Sequence, residues 1–292
     1  MEFTYYHPKN IQSLVTTLSG LQNYALLAGG TDLLVKMKEK LLQPMPQAVV
    51  DINEIGKLQE ITESEGYLWI GPAVSHTALT KSVLVNEKAV VLAEAAGQIG
   101  SPQIRNKGTV GGNICNASPA ADTVPALLAL DAMVEISDQS GRRHVALSEV
   151  FKGPGRTCLL PGQFISQIRL RTIQHNEGAA FLKVGKRKAL AIAMINAAVW
   201  LKIANGIIDD VRIAFGSVAP TPIRLYELET WLIGKSANHG VFAQAGVKAS
   251  QMIKPIDDIR CTADYRKRLA QIIIFRSLVT ALGRAQGRCG CE

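Results

Sequence analysis

The chain has 292 residues, 47% hydrophobic and 19% charged, with a net charge of +8. That length suits about two domains, and the composition excludes an intrinsically disordered chain. No apolar run reaches the ~18 residues that span a bilayer, and Met1 to Pro8 has neither the basic nor the apolar region of a secretion signal, so a cytoplasmic protein is expected.

In chain order, Tyr24 to Ala28 predicts a short strand. Gly29-Gly30-Thr31-Asp32 follows, and Leu33 to Leu42 reads as an amphipathic helix. Thr31 or Asp32 can serve as its N-cap, and the free N–H groups there suit a phosphate. An ordinary turn between strand and helix explains the same residues. Gln47 to Ile52 and Tyr67 to Gly71 predict buried strands, the second after a polar turn at Thr62 to Gly66. Ser75 can cap a helix through Leu84, and an Ala-rich helix from about Glu87 to Ala96 stops at Gly97.

The stretch from Gly100 to Ala129 is crowded with glycine, small polar residues and proline, yet ends in an apolar run. Gly111-Gly112 removes two Cβ atoms in a row, so a ligand can lie close to the backbone. Consecutive N–H groups in such a turn can converge on an anion. Asp122 precedes Thr-Val-Pro-Ala-Leu-Leu, and Pro125 marks the first turn of a helix. The segment reads as a phosphate-cradling loop entering that helix. A Gly-rich connection with a capped helix behind it is the alternative.

Strands at Ala132 to Ile136 and Arg143 to Leu147 flank the turn Asp138 to Gly141, and Gly162 to Arg171 makes one more. Composition shifts near residues 172–178. Strands at Ala180 to Val184, Ala197 to Ile203 and Ile207 to Phe215 follow, the last two joined at Asn205-Gly206, a tight-hairpin signal. After the irregular Gly216 to Pro222, helices are predicted at about 225–233, 240–252 and 263–285. The fold class is α+β: a domain over residues 1–175, a small antiparallel sheet with helices over 176–288, and a tail at 289–292.

Other motifs fail on spacing. Gly29-Gly30 lacks the dinucleotide fingerprint, Gly153-Pro-Gly155-Arg-Thr-Cys158 ends in Cys and follows no predicted strand, and Glu229 stands where the first glycine of a Walker loop ending at Gly234-Lys235-Ser236 belongs. The five cysteines, at 115, 158, 261, 289 and 291, form no C-x-x-C pair, which argues against an iron–sulfur or zinc site on this chain. Basic clusters occur at Lys183 to Lys188 and Arg266 to Arg268, but aromatics are only 5% and do not interleave with them. Nucleic-acid binding is therefore not expected, and the charge suits an anionic cofactor, a second anionic substrate or an acidic partner.

Leu27 to Leu34, Gln103 to Asn106, Thr109 to Asn113, Ala117 to Asp122 and Ala219 to Pro222 together resemble the FAD-binding medium subunit of molybdenum hydroxylases, most closely its xanthine dehydrogenase type. The resemblance spans nearly the whole chain. It implies an FAD-binding domain of the vanillyl-alcohol-oxidase (PCMH) type, with two subdomains, followed by a flavoprotein C-terminal domain. It implies that Ala25, Leu26, Leu27, Ala28, Gly29, Gly30, Thr31 and Asp32, with Thr109, Val110, Gly111, Gly112 and Asn113, cradle the diphosphate of FAD. It also places Asp122, Ile165 and Lys183 against FAD. Asp122 can accept from a ribityl or ribose hydroxyl or cap a helix, Lys183 can put a cation near the flavin or be a solvated strand lysine, and Ile165 by itself reads as core. Arg105 can pair within its loop or face a partner.

The resemblance further implies noncovalent FAD, with NAD+ the usual electron acceptor. It assigns molybdopterin to a large partner subunit and a [2Fe–2S] centre to a small one, in a dimer of heterotrimers. No catalytic residue or metal ligand is then expected on this chain. The competing readings are a flavin subunit for carbon monoxide, nicotinate or an aldehyde, a self-contained FAD oxidase, and a non-catalytic nucleotide-binding module. Cys289 and Cys291 match no part of the family pattern.

Overall fold

A small parallel sheet begins the structure, a computed structural model that describes residues 2–187 and 189–287. Its strands β1 (Thr4–Tyr6), β2 (Tyr24–Leu27) and β3 (Ala48–Asp51) lie in the order β1-β3-β2. Helix α1 (Ile11–Ser19) joins β1 to β2; Asn10 caps it by accepting from the Ser13 N–H at 2.8 Å. Leu14 and Leu18 of α1 are buried with Val50 and Phe164. Helix α2 (Leu33–Lys38) follows β2 and is shorter than predicted, because Lys40 turns into the left-handed region at φ 55°.

The second subdomain opens with the hairpin β4 (Ile61–Ser64) and β5 (Tyr67–Ile70). Only Glu65 and Gly66 of the predicted polar turn are turn, at φ 53° and 77°; the rest is strand. Helices α3 (His76–Lys81), α4 (Val83–Lys88) and α5 (Val90–Gly97) replace the two that were predicted. Ser75 caps α3 as expected, accepting from Ala78 N–H at 3.1 Å, while Ser82 ends α3 and caps α4. The stretch from Gly100 is not an open loop. Ser101 caps α6 (Pro102–Lys107), Thr109 caps α7 (Val110–Asn116), and α8 (Thr123–Ala129) comes next.

Strands β6 (Met133–Asp138) and β7 (Gly141–Ala146) form the predicted hairpin. A short α9 (Leu147–Val150) leads to a ribbon of β8 (Phe151–Gly153) and β9 (Arg156–Thr157), so Gly153 does close a strand. With β10 (Phe164–Arg171), five strands make an antiparallel sheet in the order β4-β5-β10-β6-β7.

The second domain is a four-stranded antiparallel sheet of β11 (Glu177–Val184), β12 (Ile195–Ala204), β13 (Ile207–Gly216) and β14 (Ile223–Arg224), in chain order. Asn205 and Gly206 both take positive φ, 51° and 76°, as a two-residue turn matched to strand twist requires. Helices α10 (Tyr226–Leu232), α11 (His239–Met252) and α12 (Ala263–Ala285) complete it.

Alternation along these strands divides two cores. Ala180, Ala197, Val199, Ile213 and Phe215 belong to one core with α11 and α12. Ala179, Phe181, Ala198, Trp200 and Ala214 join the core of the first domain. Gly178 lets α12 lie directly on β11, since a Cβ there would stand 2.0 Å from the Ala281 carbonyl oxygen. All seven residues of α8 are buried, and that helix packs on β12 and β13. Each of its larger apolar side chains contributes ~1.5–3 kcal/mol by burial. The seam between the domains is tied by Glu94 of α5, which pairs with Arg284 and accepts from the Phe181 N–H at 3.1 Å.

Candidate functional site

The turn after β2 is set by its neighbours. Asn53 donates from Nδ2 to the Ala28 carbonyl and to Asp51 Oδ1, both at 2.7 Å, which fixes where the strand ends. Gly30 then adopts φ 70°, and the Leu34 N–H donates to the Gly30 carbonyl. From Gly29 to Leu33, five successive N–H groups have no acceptor among the described residues. Such a row forms a concave, partly positive surface that satisfies an anion. Neither Thr31 nor Asp32 supplies a side-chain cap to α2; Asp32 instead pairs with Lys36 at 2.6 Å, and Lys36 also donates to Asn116 Oδ1.

The second Gly-Gly element works differently. Val110 N–H donates to the Val74 carbonyl, Gly111 N–H to the Pro72 carbonyl, Gly112 N–H to Thr109 Oγ1 and Asn113 N–H to the Thr109 carbonyl. These four N–H groups already have acceptors within the protein, unlike those of Gly29 to Leu33. Gly111 is needed for protein packing: a Cβ there would stand 2.4 Å from the Pro72 Cβ. What the element offers a ligand is side chain. Thr123 donates to Asn113 Oδ1 at 2.6 Å, which leaves the Asn113 NH2 as a donor.

The two elements meet at one cavity. Leu26, Ala28, Gly29, Gly30, Thr31 and Asp32 line one cavity of about 400 Å³ together with Thr109, Gly112 and Asn113. Gly29 makes the meeting possible, because a Cβ there would lie 2.1 Å from the Lys107 carbonyl oxygen. Leu27 faces an adjoining cavity. Ala25 is half-buried in β2, and Val110 and Gly111 are buried; none of the three lines either cavity. Ile165 is a core residue of β10, 4% exposed, and lines neither.

Two further groups at the cavity carry no Gly-rich signal. His76 lines it and is 3% exposed, and its Nδ1 has no hydrogen-bond partner. Burial, and secondarily the charge of Arg105, hold its imidazole down at about 4, so it is neutral near pH 7. Only the fold brings it beside Gly108; the one local hint is its place just after the Ser75 cap. Cys115 is open to the cavity yet recessed deep in the molecule. That depth first, and Cys158 second, push its thiol up to about 12.

A second, basic cavity of about 590 Å³ lies at the domain seam, lined by Gln98, Gly100, Arg105, Lys183, Lys186 and Arg187 among others. It adjoins the first through the chain itself, for Ile99 lines the first cavity and its neighbours Gln98 and Gly100 line the second. Arg105 makes no ion pair in its loop. It donates from Nη1 to the Ile99 carbonyl at 2.9 Å, which holds the segment and turns the guanidinium toward the basic cavity.

Lys183 donates to Asp122 Oδ2 at 2.5 Å and to the Gln98 carbonyl at 2.9 Å. Asn196 donates from Nδ2 to Asp122 Oδ1 at 2.7 Å. The Lys183 and Asp122 side chains are 7% and 9% exposed, so Lys183 is not a solvated strand lysine. Asp122 stands before α8 but gives it no side-chain cap. Burial raises its carboxyl, against the opposing pull of Lys183 and Asn196.

Among the described residues no group of three or more His, Cys, Asp or Glu is arranged to hold a metal, and no helix is long and apolar enough to cross a membrane. Cys289 and Cys291 lie outside the described residues.

Comparison with known proteins matches residues 1–171 to the FAD binding domain in molybdopterin dehydrogenase and residues 180–281 to the CO dehydrogenase flavoprotein C-terminal domain. The chain is 31% identical over 276 residues to the glyceraldehyde dehydrogenase medium chain of Sulfolobus acidocaldarius, covering 94% of this chain and 97% of that one. It is 30% identical over 287 residues to the xanthine dehydrogenase FAD-binding subunit of Escherichia coli O157:H7, covering 98% of each. It superposes on a chain of the carbon monoxide dehydrogenase of Hydrogenophaga pseudoflava with a TM-score of 0.92 at 32% identity, covering 99% of both.

Proposed function

This chain belongs to the family of FAD-binding medium subunits of the molybdenum hydroxylases, and we propose that it relays electrons through noncovalent FAD from a [2Fe–2S] partner subunit to NAD+. The observation that carries this reading is the row of five unpaired N–H groups from Gly29 to Leu33, facing a cavity that the second Gly-Gly element also lines. The residues present fit a dinucleotide's diphosphate: a row of N–H donors, the Asn113 amide and the Lys36 cation converge on one cavity.

FAD, when bound, supplies the two-electron chemistry. The chain's own residues bind and orient it. Gly29, Gly30, Thr31 and Asp32 offer N–H groups to the diphosphate, and Thr109, Gly112 and Asn113 close the opposite wall. Leu26, Leu27 and Ala28 form the approach from β2, while Ala25, Val110, Gly111 and Ile165 act by holding the wall in place. Lys183, fixed by Asp122, sets a positive charge beside the basic cavity, where the flavin ring and an anionic acceptor are assigned. In this reading residues 1–175 hold FAD, residues 176–288 supply the lysine wall, and 289–292 are a tail.

The relatives' names support a place in a larger enzyme. In that reading a large subunit carries molybdopterin and meets the organic substrate, a small subunit carries the [2Fe–2S] centre, and the complex is a cytoplasmic dimer of heterotrimers that binds no nucleic acid. Similarity to the E. coli xanthine dehydrogenase subunit supports a purine substrate. Comparable identity to subunits named for glyceraldehyde and carbon monoxide supports those substrates as a second reading. The test is an absorption spectrum of the purified chain followed by anaerobic NADH titration. One FAD per chain, bleached by NADH, is expected. A colourless protein would remove FAD from the proposal, and a flavin that NADH leaves oxidised would remove NAD+.

A further inference from the structure

We propose that a small oxyanion, of the size and charge of phosphate, binds at the seam between the two domains on Arg169, Arg171 and Arg224, away from the cavities described above.

Along β10 burial alternates, so Arg169 and Arg171 point from the outer face of the five-stranded sheet. Register places Arg169 between Trp69 and Met133, and Arg171 opposite Tyr67. The Arg169 guanidinium stacks 4.6 Å from the Tyr67 ring centre and 5.6 Å from that of Trp69; Arg171 stacks 5.4 Å from that of Trp200. Stacking occupies the planar faces and leaves the N–H edges free to donate. Those edges lack good acceptors among the described residues. Arg169 donates to Met133 Sδ at 3.0 Å, a weak acceptor, and the carboxylate nearest Arg171 is that of Glu177 at 4.0 Å.

Arg224 comes from the second domain and is held rigidly. It donates from Nε and Nη2 to Glu229 at 3.0 and 2.7 Å, and from Nη1 to Asp131 at 2.9 Å. All three arginines line one cavity of about 190 Å³, flanked by Tyr67 and Tyr226, and Asp131 is the sole carboxylate in its lining. Glu229 and Asp131 offset Arg224, so the positive charge facing the space comes from Arg169 and Arg171, with Glu177 4.0 Å from Arg171. The space is smaller than the ~300–1,000 Å³ of cavities that take drug-sized ligands. It suits an anion of four or five heavy atoms, and guanidinium edges match the oxygens of such a group. Occupancy would join Arg169 and Arg171 of the first domain to Arg224 of the second.

The test is equilibrium dialysis of the FAD-loaded chain against radiolabelled inorganic phosphate at constant ionic strength. One saturable phosphate per chain is expected. Arg169→Gln or Arg171→Gln should weaken it at least tenfold with flavin content unchanged. Arg142→Gln, on the exposed edge of the same sheet, should leave it unaltered. In thermal melts of the same holoproteins, phosphate should raise the midpoint of the native chain and of Arg142→Gln but not of Arg169→Gln. Absence of saturable binding overturns the proposal, and so does an equal loss in all three variants, which would mark diffuse attraction to a basic surface.

Discussion

Lys183 and Asp122 meet at 2.5 Å across the seam between the two domains, with Asn196 bonded to the other oxygen of the same carboxylate. One partner sits on β11 and the other just before α8, 61 residues apart in sequence. The contact fixes the entrance of a wholly buried helix to the sheet that it packs on. Lys183 also donates to the Gln98 carbonyl at 2.9 Å, which ties it to the first domain.

Removing one member of such a pair leaves an uncompensated buried charge. Lys183→Met should therefore cost ~3–5 kcal/mol in urea unfolding. Asp122→Asn combined with Lys183→Met should recover at least ~2 kcal/mol of that loss, because no charge is then stranded. Additive losses across the double-mutant cycle would show that the two side chains do not interact.

The glycines differ in what they do. Gly29→Ala and Gly111→Ala should each destabilise the chain by ~1–3 kcal/mol and lower FAD content, because their Cβ atoms run into the backbone at Lys107 and into Pro72. Gly112→Ala meets only Thr109 Oγ1, at 2.9 Å, and should be milder. The Gly111 replacement is not a clean probe of ligand space, since it strains the apoprotein too. Thermal melts of the three apoproteins check the ranking; equal midpoints would contradict it.

His76 should make the fold acid-sensitive. Its folded value of about 4 lies below the ordinary 6.5, so the unfolded chain binds the proton more readily. The stability that depends on neutral His76 is complete above pH 6.5 and is lost as pH falls from there toward 4. At pH 5 the loss is ~2 kcal/mol by linkage. His76→Gln should remove that part of the decline, read as a flatter dependence of the urea midpoint between pH 7 and pH 5. Parallel curves for the two proteins would show that His76 titrates normally.

Cys115 should be inert despite facing the cavity. With its thiol pushed up to about 12, almost none is thiolate at neutral pH. A maleimide should label it about a hundredfold more slowly than a free thiol. Acid precipitation of the holoprotein should leave a white pellet and yellow supernatant. Flavin retained in the pellet and released by Cys115→Ala would mean that this sulfur forms a covalent link.

Much of this was legible because single residues dictate local conformation. Asn205-Gly206 announces its hairpin, as only residues tolerant of positive φ fill that turn. Gly29-Gly30 after an apolar run announces the first wall of the cavity. The second wall was legible as a place but not as a mechanism. Its glycines suggested a loop, whereas caps from Ser101 and Thr109 and packing on Pro72 and Val74 make helices of poor intrinsic formers. Strand β4 was hidden by its polar sequence, since it gains its order by pairing with β5. Asn196 gave no warning, and His76 only its place just after the Ser75 cap, because each acquires its role from a partner distant in the chain.

In the proposed relay this chain passes electrons on and does not itself oxidise the organic substrate. Anaerobic flavin bleaching at its visible absorption band tests that directly, with the isolated FAD-loaded chain and again after adding the large and small partner subunits. The substrates are xanthine and, in separate cuvettes, glyceraldehyde and carbon monoxide. The flavin should stay oxidised in the isolated chain and bleach with one of these substrates once the partners are present. Bleaching of the isolated chain by an organic substrate, at the rate of the assembled enzyme, would contradict it and make the chain a self-contained oxidase.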